Sequence, residues 1–515
     1  MAIQRDVSGR GRTIGLWIGL VGFAFFLAVP VDPGNIPASK LAGVAFLMAA
    51  WWVSDAIPLW ATALMPLALF PTLGIMGGGA TAPIYFNSTI VLYIGGFLIA
   101  LTMERWDLHK RIALNIIHAV GGGPARIVLG FMLAAAFLSM WISNTATAVM
   151  MVPIGLAIVI QIEEEFDPVR THKFSVGLMI GIAYACSVGG LTTLVGTPPN
   201  LSFQRIFAIL FPDAPAIGFG QWIVMALPIG VSLLAIAWVL ITKVFYRTPP
   251  EIAVDDEVVR GELRELGKIS YEEKWVAAVF ATTAVLWVFR ADLQLGFATV
   301  PGWSRLLPEP GMVDDGTVAI TMAALMFFIP TKNKTNGSRR VMEPDVVGRL
   351  PWGIVLLFGG GFALAAGFQT TGLAQIIGNQ FEALAGMPPF LMILLVCLVL
   401  TFLTELTSNL ATTEMILPIL GAIAVTTQTH PLLLMIPATL SASCAFMMPV
   451  ATPPNAIVFG SNRITVGEMA RVGLALNFIG ALVIATVVFT VGLVVFGIDT
   501  TVMPDWAQSL ASGAP

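Results

Sequence analysis

Long apolar runs recur along almost the whole of this sequence. Eleven of them are candidate membrane spans, and they lie at roughly 14–31, 40–53, 56–74, 85–103, 174–194, 221–246, 275–290, 313–330, 352–370, 432–450 and 472–497. A spanning helix needs about 20 predominantly apolar residues. Only 11% of the 515 residues are charged, against about 25% in soluble domains. The sequence therefore predicts an all-α polytopic membrane protein with about eleven transmembrane helices.

Two further apolar segments, 124–161 and 388–427, are each interrupted near the middle by a Ser-Asn pair. A double crossing and a re-entrant hairpin both return the chain to its starting side, so charge does not fully separate them. The interruptions SNTAT and TSNLATTE suit a buried tip better than a water-exposed loop. Non-helical backbone is tolerated at that depth only where protein or a cavity satisfies it. We therefore predict two re-entrant hairpins.

Lys and Arg are unevenly distributed between the loops. With eleven spans, re-entrant hairpins and a cytoplasmic N-terminus, 22 of the 26 basic residues fall inside, as the positive-inside rule requires. The four outside are Lys40, Arg205, Arg290 and Arg305. The first run could be a signal peptide, but it exceeds the usual apolar core of about 7–15 residues. We interpret it as an uncleaved span, which leaves the C-terminus outside.

The two halves of the chain resemble each other. Gly95-Gly96-Phe97 recurs at 360–362 and Ser143-Asn144-Thr145-Ala146-Thr147 recurs, with one change, at 408–412, both at an offset of 265. Thr197-Pro198-Pro199-Asn200 recurs at 452–455, at an offset of 255. Counting spans, the chain enters the first hairpin from the cytoplasm and the second from outside, so the repeats are inverted. Many secondary transporters build a substrate site from inverted repeats with broken helices.

This organisation divides the chain into five segments. They are an N-terminal tail with the first span (1–35), a first inverted repeat containing the hairpin 124–161 (36–246), a cytoplasmic linker (247–274), a second inverted repeat containing the hairpin 388–427 (275–497) and an extracytoplasmic tail (498–515).

The Ser-Asn pairs can cap the helices that follow them. Ser and Asn side chains accept hydrogen bonds from free N–H groups at a helix start, which also carries partial positive charge. Two such tips facing each other would attract an anion without a basic side chain. The segments 127–161 and 388–427 contain no Lys or Arg, so an anion there would depend on dipoles, hydroxyls, amides and co-bound cations.

The Thr-Pro-Pro-Asn motifs can supply carbonyl oxygens for a cation. Two consecutive prolines remove two N–H donors and exclude regular helix geometry. Carbonyls in the preceding turn, near Gly196 and Ala451, then lose their partners and suit Na⁺ in an unwound transporter helix. The alternative is that the motif merely kinks a helix, as a single proline often does. Two copies, each paired with a Ser-Asn hairpin, favour the ion site.

Two acidic residues, Glu405 and Glu414, flank the second hairpin tip. An ionisable residue within a membrane span usually indicates a functional role, although such a Glu can also be simply protonated or hydrogen-bonded. Thr404 and Thr407 are the candidate partners of Glu405.

Other classes of function find little support. The chain has no H-E-x-x-H or G-x-S-x-G motif, and its three cysteines show no metal-ligand spacing. A net charge of −4 gives no case for nucleic-acid binding, and no organic cofactor is indicated. Two half-spanning hairpins suit a carrier that works by alternating access better than they suit the open pore of a channel. We therefore expect a transporter rather than an enzyme.

Together these motifs resemble those of the divalent anion/sodium symporter family, which includes the sodium-dicarboxylate and citrate carriers. The resemblance covers nearly the whole chain beyond the first span. It implies an elevator-type carrier in the lipid bilayer of a bacterial inner membrane, working as a homodimer with a scaffold and a mobile transport domain in each subunit. The implied activity is Na⁺-coupled symport of a small anionic substrate, a di- or tricarboxylate such as succinate, malate, fumarate or citrate.

The resemblance also implies two Na⁺ sites that flank the substrate. The first would use Ser139, Ser143, Asn144 and Gly196, and the second Thr404, Thr407, Asn409 and Ala451. The substrate carboxylates would meet Ser143, Asn144, Thr145, Ser408, Asn409, Thr452 and Pro453.

One residue departs from the repeated pattern. Leu410 stands where the second tip could have a threonine, so one hydroxyl is lost. A hydrogen bond to a charged group is worth about 1.5–3 kcal/mol, enough to change the preference among dicarboxylate, tricarboxylate and sulfate. The alternatives are therefore a Na⁺-independent dicarboxylate exchanger with the same fold, or a sulfate carrier.

Overall fold

The computed structural model describes residues 9–166, 168–247, 257–295, 298–332 and 339–507. In this part of the chain the α-helices are α1 Gly9–Ala28, α2 Ile36–Ser54, α3 Leu59–Thr62, α4 Met65–Leu73, α5 Gly78–Thr81, α6 Ser88–Arg105, α7 Leu108–Val120, α8 Pro124–Ser139, α9 Asn144–Glu165, α10 Pro168–Gly190, α11 Pro198–Leu210, α12 Phe219–Val239, α13 Glu257–Leu266, α14 Tyr271–Val288, α15 Asp315–Met326, α16 Trp352–Thr371, α17 Leu373–Asn379, α18 Pro389–Thr404, α19 Asn409–Thr426, α20 Leu432–Ala442, α21 Pro453–Phe459, α22 Val466–Val487 and α23 Leu493–Phe496.

Shorter elements complete the architecture. Single 3₁₀ turns lie at Ala82–Tyr85, Trp303–Leu306, Pro310–Met312, Pro344–Arg349 and Glu382–Leu384, and π-helical turns lie at Leu240–Phe245 and Val488–Gly492. Two short strands, β1 Leu293–Gln294 and β2 Thr299–Val300, pair antiparallel. The prediction of an all-α fold is confirmed.

Nine helical segments of the described ranges have the length and apolar composition to cross a membrane. Two of them are the second helices of the Ser-Asn hairpins, α9 and α19. Three expected spans are shorter in the structure: the run 56–74 is divided into α3 and α4, the run 313–330 contains the 12-residue α15, and the run 432–450 stops being helical after Ala442. The total of eleven spans stays a prediction.

Proline explains the division of the run 56–74. Pro66 lies in the first turn of α4, where its missing N–H is not needed. Pro66 cannot also lie in the interior of a helix continuing from α3, because it has no N–H to donate to the backbone carbonyl one turn earlier. The chain therefore forms two short helices that are separated at Leu64.

The same order of elements occurs twice. A long helix (α6, α16) is followed by a shorter one (α7, α17), then by two helices joined at a Ser-Asn pair (α8–α9, α18–α19), then by a helix that stops early (α10, α20) and another that starts at Thr-Pro-Pro-Asn (α11, α21). Each copy ends in a long helix extended by a π turn (α12, α22). The internal repeat is therefore present in the structure as well as in the amino-acid sequence.

The two copies interlock around the Thr-Pro-Pro-Asn motifs. The helix that the first motif starts, α11, packs against α19 of the second hairpin, and the helix that the second motif starts, α21, packs against α9 of the first. The buried Tyr184 on α10 joins them further, since its hydroxyl donates to the carbonyls of Phe446 at 2.6 Å and Met469 at 3.0 Å. Each hairpin thus depends on the opposite repeat for part of its packing.

The ion pairs are consistent with two opposite faces. Arg105–Asp345, Lys110–Glu262, Arg111–Glu273, Arg349–Glu104 and Arg463–Glu163 join residues predicted inside, whereas Arg290–Asp315 and Arg305–Asp292 join residues predicted outside. Which face is cytoplasmic stays a prediction. The parts of the tails and linker at 1–8, 248–256 and 508–515 lie outside the described residues.

Close packing of α8 on α10 gives a first testable expectation. A Cβ built on Gly189 would lie 2.1 Å from the carbonyl oxygen of Ala136, so Gly189→Ala forces the helices apart. We expect a loss of about 1–3 kcal/mol of stability, as for other overpacked cores, and a lower thermal midpoint in detergent by fluorescence-detected gel filtration. The control is Gly79→Ala, where nothing lies within 4 Å. Equal midpoints for the two variants would contradict the described packing.

Candidate functional site

The two Ser-Asn pairs lie at the starts of α9 and α19. Ser143 is the N-cap residue of α9, and its hydroxyl accepts a hydrogen bond from the N–H of Ala146 at 3.1 Å. Ser408 occupies the same position before α19, but its side chain makes no capping hydrogen bond. The expectation that each pair separates two helices is confirmed. The expectation that both serines cap their helices is wrong for Ser408.

Three residues expected at the first ion site lie together. The side-chain amide of Asn144 is 2.5 Å from Ser139 Oγ. Oriented so that both its ends are satisfied, the same amide donates to the carbonyls of Cys186 and Gly196, each at 3.3 Å. Asn144 therefore joins the tip of the first hairpin to the broken segment after α10.

Small residues allow this close approach. A Cβ on Gly196 would lie 2.4 Å from the carbonyl oxygen of Gly190 and 3.0 Å from that of Ser139. A Cβ on Gly190 would lie 2.5 Å from the end of the Asn144 side chain. Backbone carbonyl oxygens and the Asn144 amide are thus packed so closely that no larger residue fits at either glycine.

The Thr-Pro-Pro-Asn motifs start new helices after open backbone. Residues 191–197 are non-helical between α10 and α11, and 443–452 are non-helical between α20 and α21. Pro198 and Pro453 each occupy the first position of the following helix, where a proline costs no hydrogen bond. The alternative of a simple kink is therefore wrong, because each helix is fully interrupted.

The last residue of each motif holds the open backbone in place. Asn200 Nδ2 donates to the carbonyl of Thr193 at 2.7 Å. Asn455 Nδ2 donates to the carbonyls of Ala445 and Met448, both at 3.1 Å. Both asparagines are fully buried, and within the described residues the Oδ1 atom of each has no hydrogen-bond partner. Neither asparagine is predicted from the sequence to have a role of its own, although the repetition of the motif was the available signal.

The second tip repeats the geometry of the first. Thr404 Oγ1 lies 2.7 Å from Asn409 Oδ1 and 2.8 Å from the carbonyl oxygen of Ala442. At the offset of 265, Thr404 and Asn409 correspond to Ser139 and Asn144. Each tip therefore pairs a hydroxyl with an amide, but Asn144 makes the contact with the broken helix at the first tip and Thr404 makes it at the second.

Thr407 and Ala451, both expected at the second ion site, make hydrogen bonds within their own segments. The Thr407 hydroxyl donates to the carbonyl of Leu403 at 2.9 Å and lies 2.5 Å from Thr412 Oγ1. The Ala451 N–H donates to the carbonyl of Met448 at 3.1 Å within the broken segment. Their role in ion binding stays a prediction.

The residues expected to meet the substrate differ in exposure. Thr145 and Pro453 are exposed, Ser143, Asn144, Ser408 and Asn409 are half-buried, and Thr452 is buried. Thr452 caps α21, because its Oγ1 accepts from the N–H of Asn455 at 3.4 Å. Since α21 packs against α9, the first hairpin lies against the helix that begins at Pro453.

Glu405 organises the second broken segment. Its carboxylate accepts the backbone N–H groups of residues 446–448, at 2.7, 2.8 and 3.0 Å, and the side-chain amide of Asn477 at 2.8 Å. Three successive N–H groups directed at one anion form a concave binding site of the kind called a nest. The expectation that Thr404 and Thr407 are its partners is wrong, because both hydroxyls bind other groups. Glu405 thus acts on the site through the backbone.

Helices broken at two equivalent places and built in two interlocking copies define the architecture of a secondary membrane transporter. A family model described as the sodium:sulfate symporter transmembrane region matches residues 12–498. The chain therefore belongs to this family of divalent anion/sodium symporters. The resemblance inferred from the Ser-Asn and Thr-Pro-Pro-Asn motifs is confirmed.

Individual relatives agree with this assignment. The chain is 40% identical over 498 residues to the sodium-dependent dicarboxylate transporter SdcS of Staphylococcus saprophyticus, which covers 95% of this chain and 93% of the relative. It is also 40% identical over 496 residues to SdcS of Staphylococcus aureus strain NCTC 8325, with the same coverage. The crystal structure of the YdaH transporter of Alcanivorax borkumensis matches with a TM-score of 0.53 at 14% identity, covering 94% of this chain and 99% of that one. The last likeness is one of fold alone.

The role of Glu405 is testable by hydrogen–deuterium exchange. Glu405→Gln replaces an acceptor of backbone N–H groups by an amide whose –NH₂ end repels them. Since hydrogen bonds to a charged group are worth about 1.5–3 kcal/mol, we expect peptides covering 443–452 to exchange roughly 10–100-fold faster. The exposed Glu382→Gln is the matched control. Unchanged exchange in Glu405→Gln would show that this carboxylate does not hold the segment.

Proposed function

We propose that the protein is a secondary active transporter that moves a di- or tricarboxylate, such as succinate, malate, fumarate or citrate, across the membrane by Na⁺-coupled symport. The observation that carries the proposal is the pair of equivalent tips, Ser139–Asn144 and Thr404–Asn409, each bound to the backbone of a broken helix. Both tips offer hydroxyl, amide and carbonyl oxygens. In the described part of the chain, no three His, Cys, Asp or Glu side chains lie together as ligands for a transition metal.

The anion is attracted by helix starts rather than by basic side chains. The helices α9 and α19 begin at the two tips and have 22 and 18 residues, so each presents the positive end of a helix dipole. No Lys or Arg lies in 127–161 or 388–427. Because an uncompensated charge is costly to transfer from water, co-transported cations have to offset the charge of the carboxylates. This requirement favours symport with Na⁺.

The two Na⁺ ions occupy equivalent positions in the proposal. The first is bound by Ser139, Ser143, Asn144 and Gly196, and the second by Thr404, Thr407, Asn409 and Ala451. The substrate carboxylates lie between them and meet Ser143, Asn144, Thr145, Ser408, Asn409, Thr452 and Pro453. The close approach of Gly190 and Gly196 to the first tip supports the proposal, because it places backbone carbonyl oxygens next to Ser139 and Asn144.

The relatives support the choice of substrate class and coupling ion. Both staphylococcal proteins are described as sodium-dependent dicarboxylate transporters, which also supports transport rather than an enzymatic reaction. The protein works in the plasma membrane of a bacterium as a homodimer, with its N-terminus in the cytoplasm, and carries the substrate by an elevator movement. Leu410 removes a hydroxyl from the second tip, a change that bears on the preference among dicarboxylate, tricarboxylate and sulfate.

Reconstitution into proteoliposomes tests the coupling directly. We expect succinate uptake driven by an inward Na⁺ gradient, with a collapse to the leak rate when choline replaces Na⁺, because the carboxylates then lose their compensating charge. Internal succinate should be unnecessary. Uptake that continues in choline and requires internal succinate would instead identify a Na⁺-independent exchanger. Inhibition by sulfate but not by malate would identify a sulfate carrier.

The tip asparagines provide a sharper test of the site. Asn144→Ala removes the side chain that joins the first tip to its broken helix, and Asn409→Ala removes the amide that pairs with Thr404 at the second tip. We expect each variant to reduce uptake by at least about tenfold, as the loss of hydrogen bonds to charged groups predicts. Asn115→Ala is the matched control, because that amide is exposed and donates only to the carbonyl of Arg111 in its own helix. Normal uptake by both tip variants, at wild-type expression, would show that the site lies elsewhere.

A further inference from the structure

A second acidic residue of the second hairpin has no role in the proposed Na⁺ and substrate sites. Glu414 lies on α19, five residues after Asn409, and is completely buried. Its Oε1 atom receives a hydrogen bond from the hydroxyl of Ser202 on α11 at 2.7 Å. Glu414 therefore joins the second hairpin to the helix that begins at the first Thr-Pro-Pro-Asn motif.

The other oxygen of Glu414 is directed at α16. A Cβ built on Gly361 would lie 1.8 Å from Oε2, so the carboxyl fills the place that a side chain on this residue would take. Oε2 is buried and has no hydrogen-bond partner among the described residues. The carboxyl thus lies at the junction of α11, α16 and α19. One of its oxygens is hydrogen-bonded to Ser202, and the other lies against the backbone of Gly361.

Among the described residues, no cationic side chain forms an ion pair or hydrogen bond with Glu414. The helices packed against α19 carry three titratable side chains, Lys40 on α2, Arg205 on α11 and Cys397 on α18, and none of them contacts the carboxyl. The groups that meet the carboxyl are instead the Ser202 hydroxyl and the Gly361 backbone. Tyr85, beside α16, interacts electrostatically with Glu414, but its hydroxyl donates to the carbonyl of Ala63 at 2.6 Å.

A buried carboxylate without a cationic partner is strongly disfavoured, whereas a neutral carboxylic acid is not. We propose that Glu414 is a proton-binding site, separate from the Na⁺ sites at the tips, and that its carboxyl is neutral whenever α19 is packed against α16. The ionised carboxyl accepts the hydrogen bond of the Ser202 hydroxyl, whereas a neutral carboxyl protonated on Oε1 donates to the Ser202 oxygen across the same 2.7 Å.

The consequence for transport rests on the function proposed above. If the second hairpin moves past α16 in an elevator movement, Glu414 has to cross a dry interface between helices. The neutral acid can do so, whereas the carboxylate has first to take up a proton. The neutral form of Glu414 is therefore the one that moves, and uptake falls as the pH rises above the value at which this carboxyl releases its proton.

Infrared spectroscopy tests the proton site without any assumption about transport. The wild-type protein in lipid, at about pH 7, should show a C=O band of a protonated carboxylic acid, although an exposed glutamate ionises near pH 4.3. Glu414→Gln should lack this band. Ser202→Ala should shift it to higher frequency, because the acid loses its hydrogen-bond partner. A wild-type spectrum from which Glu414→Gln subtracts only a carboxylate band would overturn the proposal.

Transport supplies the second arm of the experiment. Succinate uptake is compared for wild type and Glu414→Gln from about pH 7 to about pH 9.5, a range in which the substrate carboxyls stay ionised. Wild-type uptake should fall toward the high end, at most by about tenfold per pH unit, the limit for a single proton. Glu414→Gln, which mimics the neutral acid, should lose this pH dependence and exceed wild type several-fold at the highest pH. Parallel profiles would contradict the proposal.

A further variant covers the case in which Glu414→Gln does not fold. Ser202→Ala keeps the carboxyl but removes a donor that favours its ionised form more than its neutral form, so the midpoint of the uptake profile should move to higher pH. A profile and an infrared band identical to those of wild type would contradict the proposal. If Na⁺-dependent uptake is absent from every form while the acid band behaves as expected, the proposed function fails and the proton site stands.

Discussion

The structure depends on the satisfaction of open backbone at membrane depth. No water is available there to bind the N–H and C=O groups that a broken helix releases, so protein groups have to do so. The Thr193 hydroxyl, which accepts from Gly196 N–H at 3.0 Å, and the Asn200 amide serve the first break. Asn455 and Glu405 serve the second. Without these contacts the two segments would be too costly to keep non-helical, and the oxygens they present would return to helix hydrogen bonds.

The same constraint connects the two repeats. Each broken helix resumes at a Thr-Pro-Pro-Asn motif, and the resumed helix packs on the hairpin of the opposite copy. Each hairpin is therefore packed against the helix that follows the broken segment of the opposite copy. This packing makes the two broken segments depend on each other for their position.

The repeated sequence motifs predicted the location of the candidate site but not its internal contacts. Ser143-Asn144 and Ser408-Asn409 could be identified because polar pairs at the centre of apolar segments are conspicuous and recur at a fixed offset. Those pairs do separate two helices, as expected. The breaks were also expected near Gly196 and Ala451, and they extend over 191–197 and 443–452.

The partners of individual side chains were beyond sequence reasoning because they are set by tertiary packing. Glu405 binds N–H groups 41 to 43 residues away and an amide 72 residues away, while its sequence neighbour Thr407 binds within its own hairpin. The run 56–74 looked like a single span because its composition is apolar throughout. Pro66, at which the run divides into two short helices, was outweighed by hydropathy.

The most direct test of the central claim is a cryo-electron microscopy structure of the protein in lipid nanodiscs with Na⁺ and succinate. The account predicts density for succinate between the starts of α9 and α19, with Na⁺ beside Asn144 and beside Asn409. Succinate density at a distance from both tips, or tips that bind neither ion nor carboxylate at saturating concentrations, would contradict it.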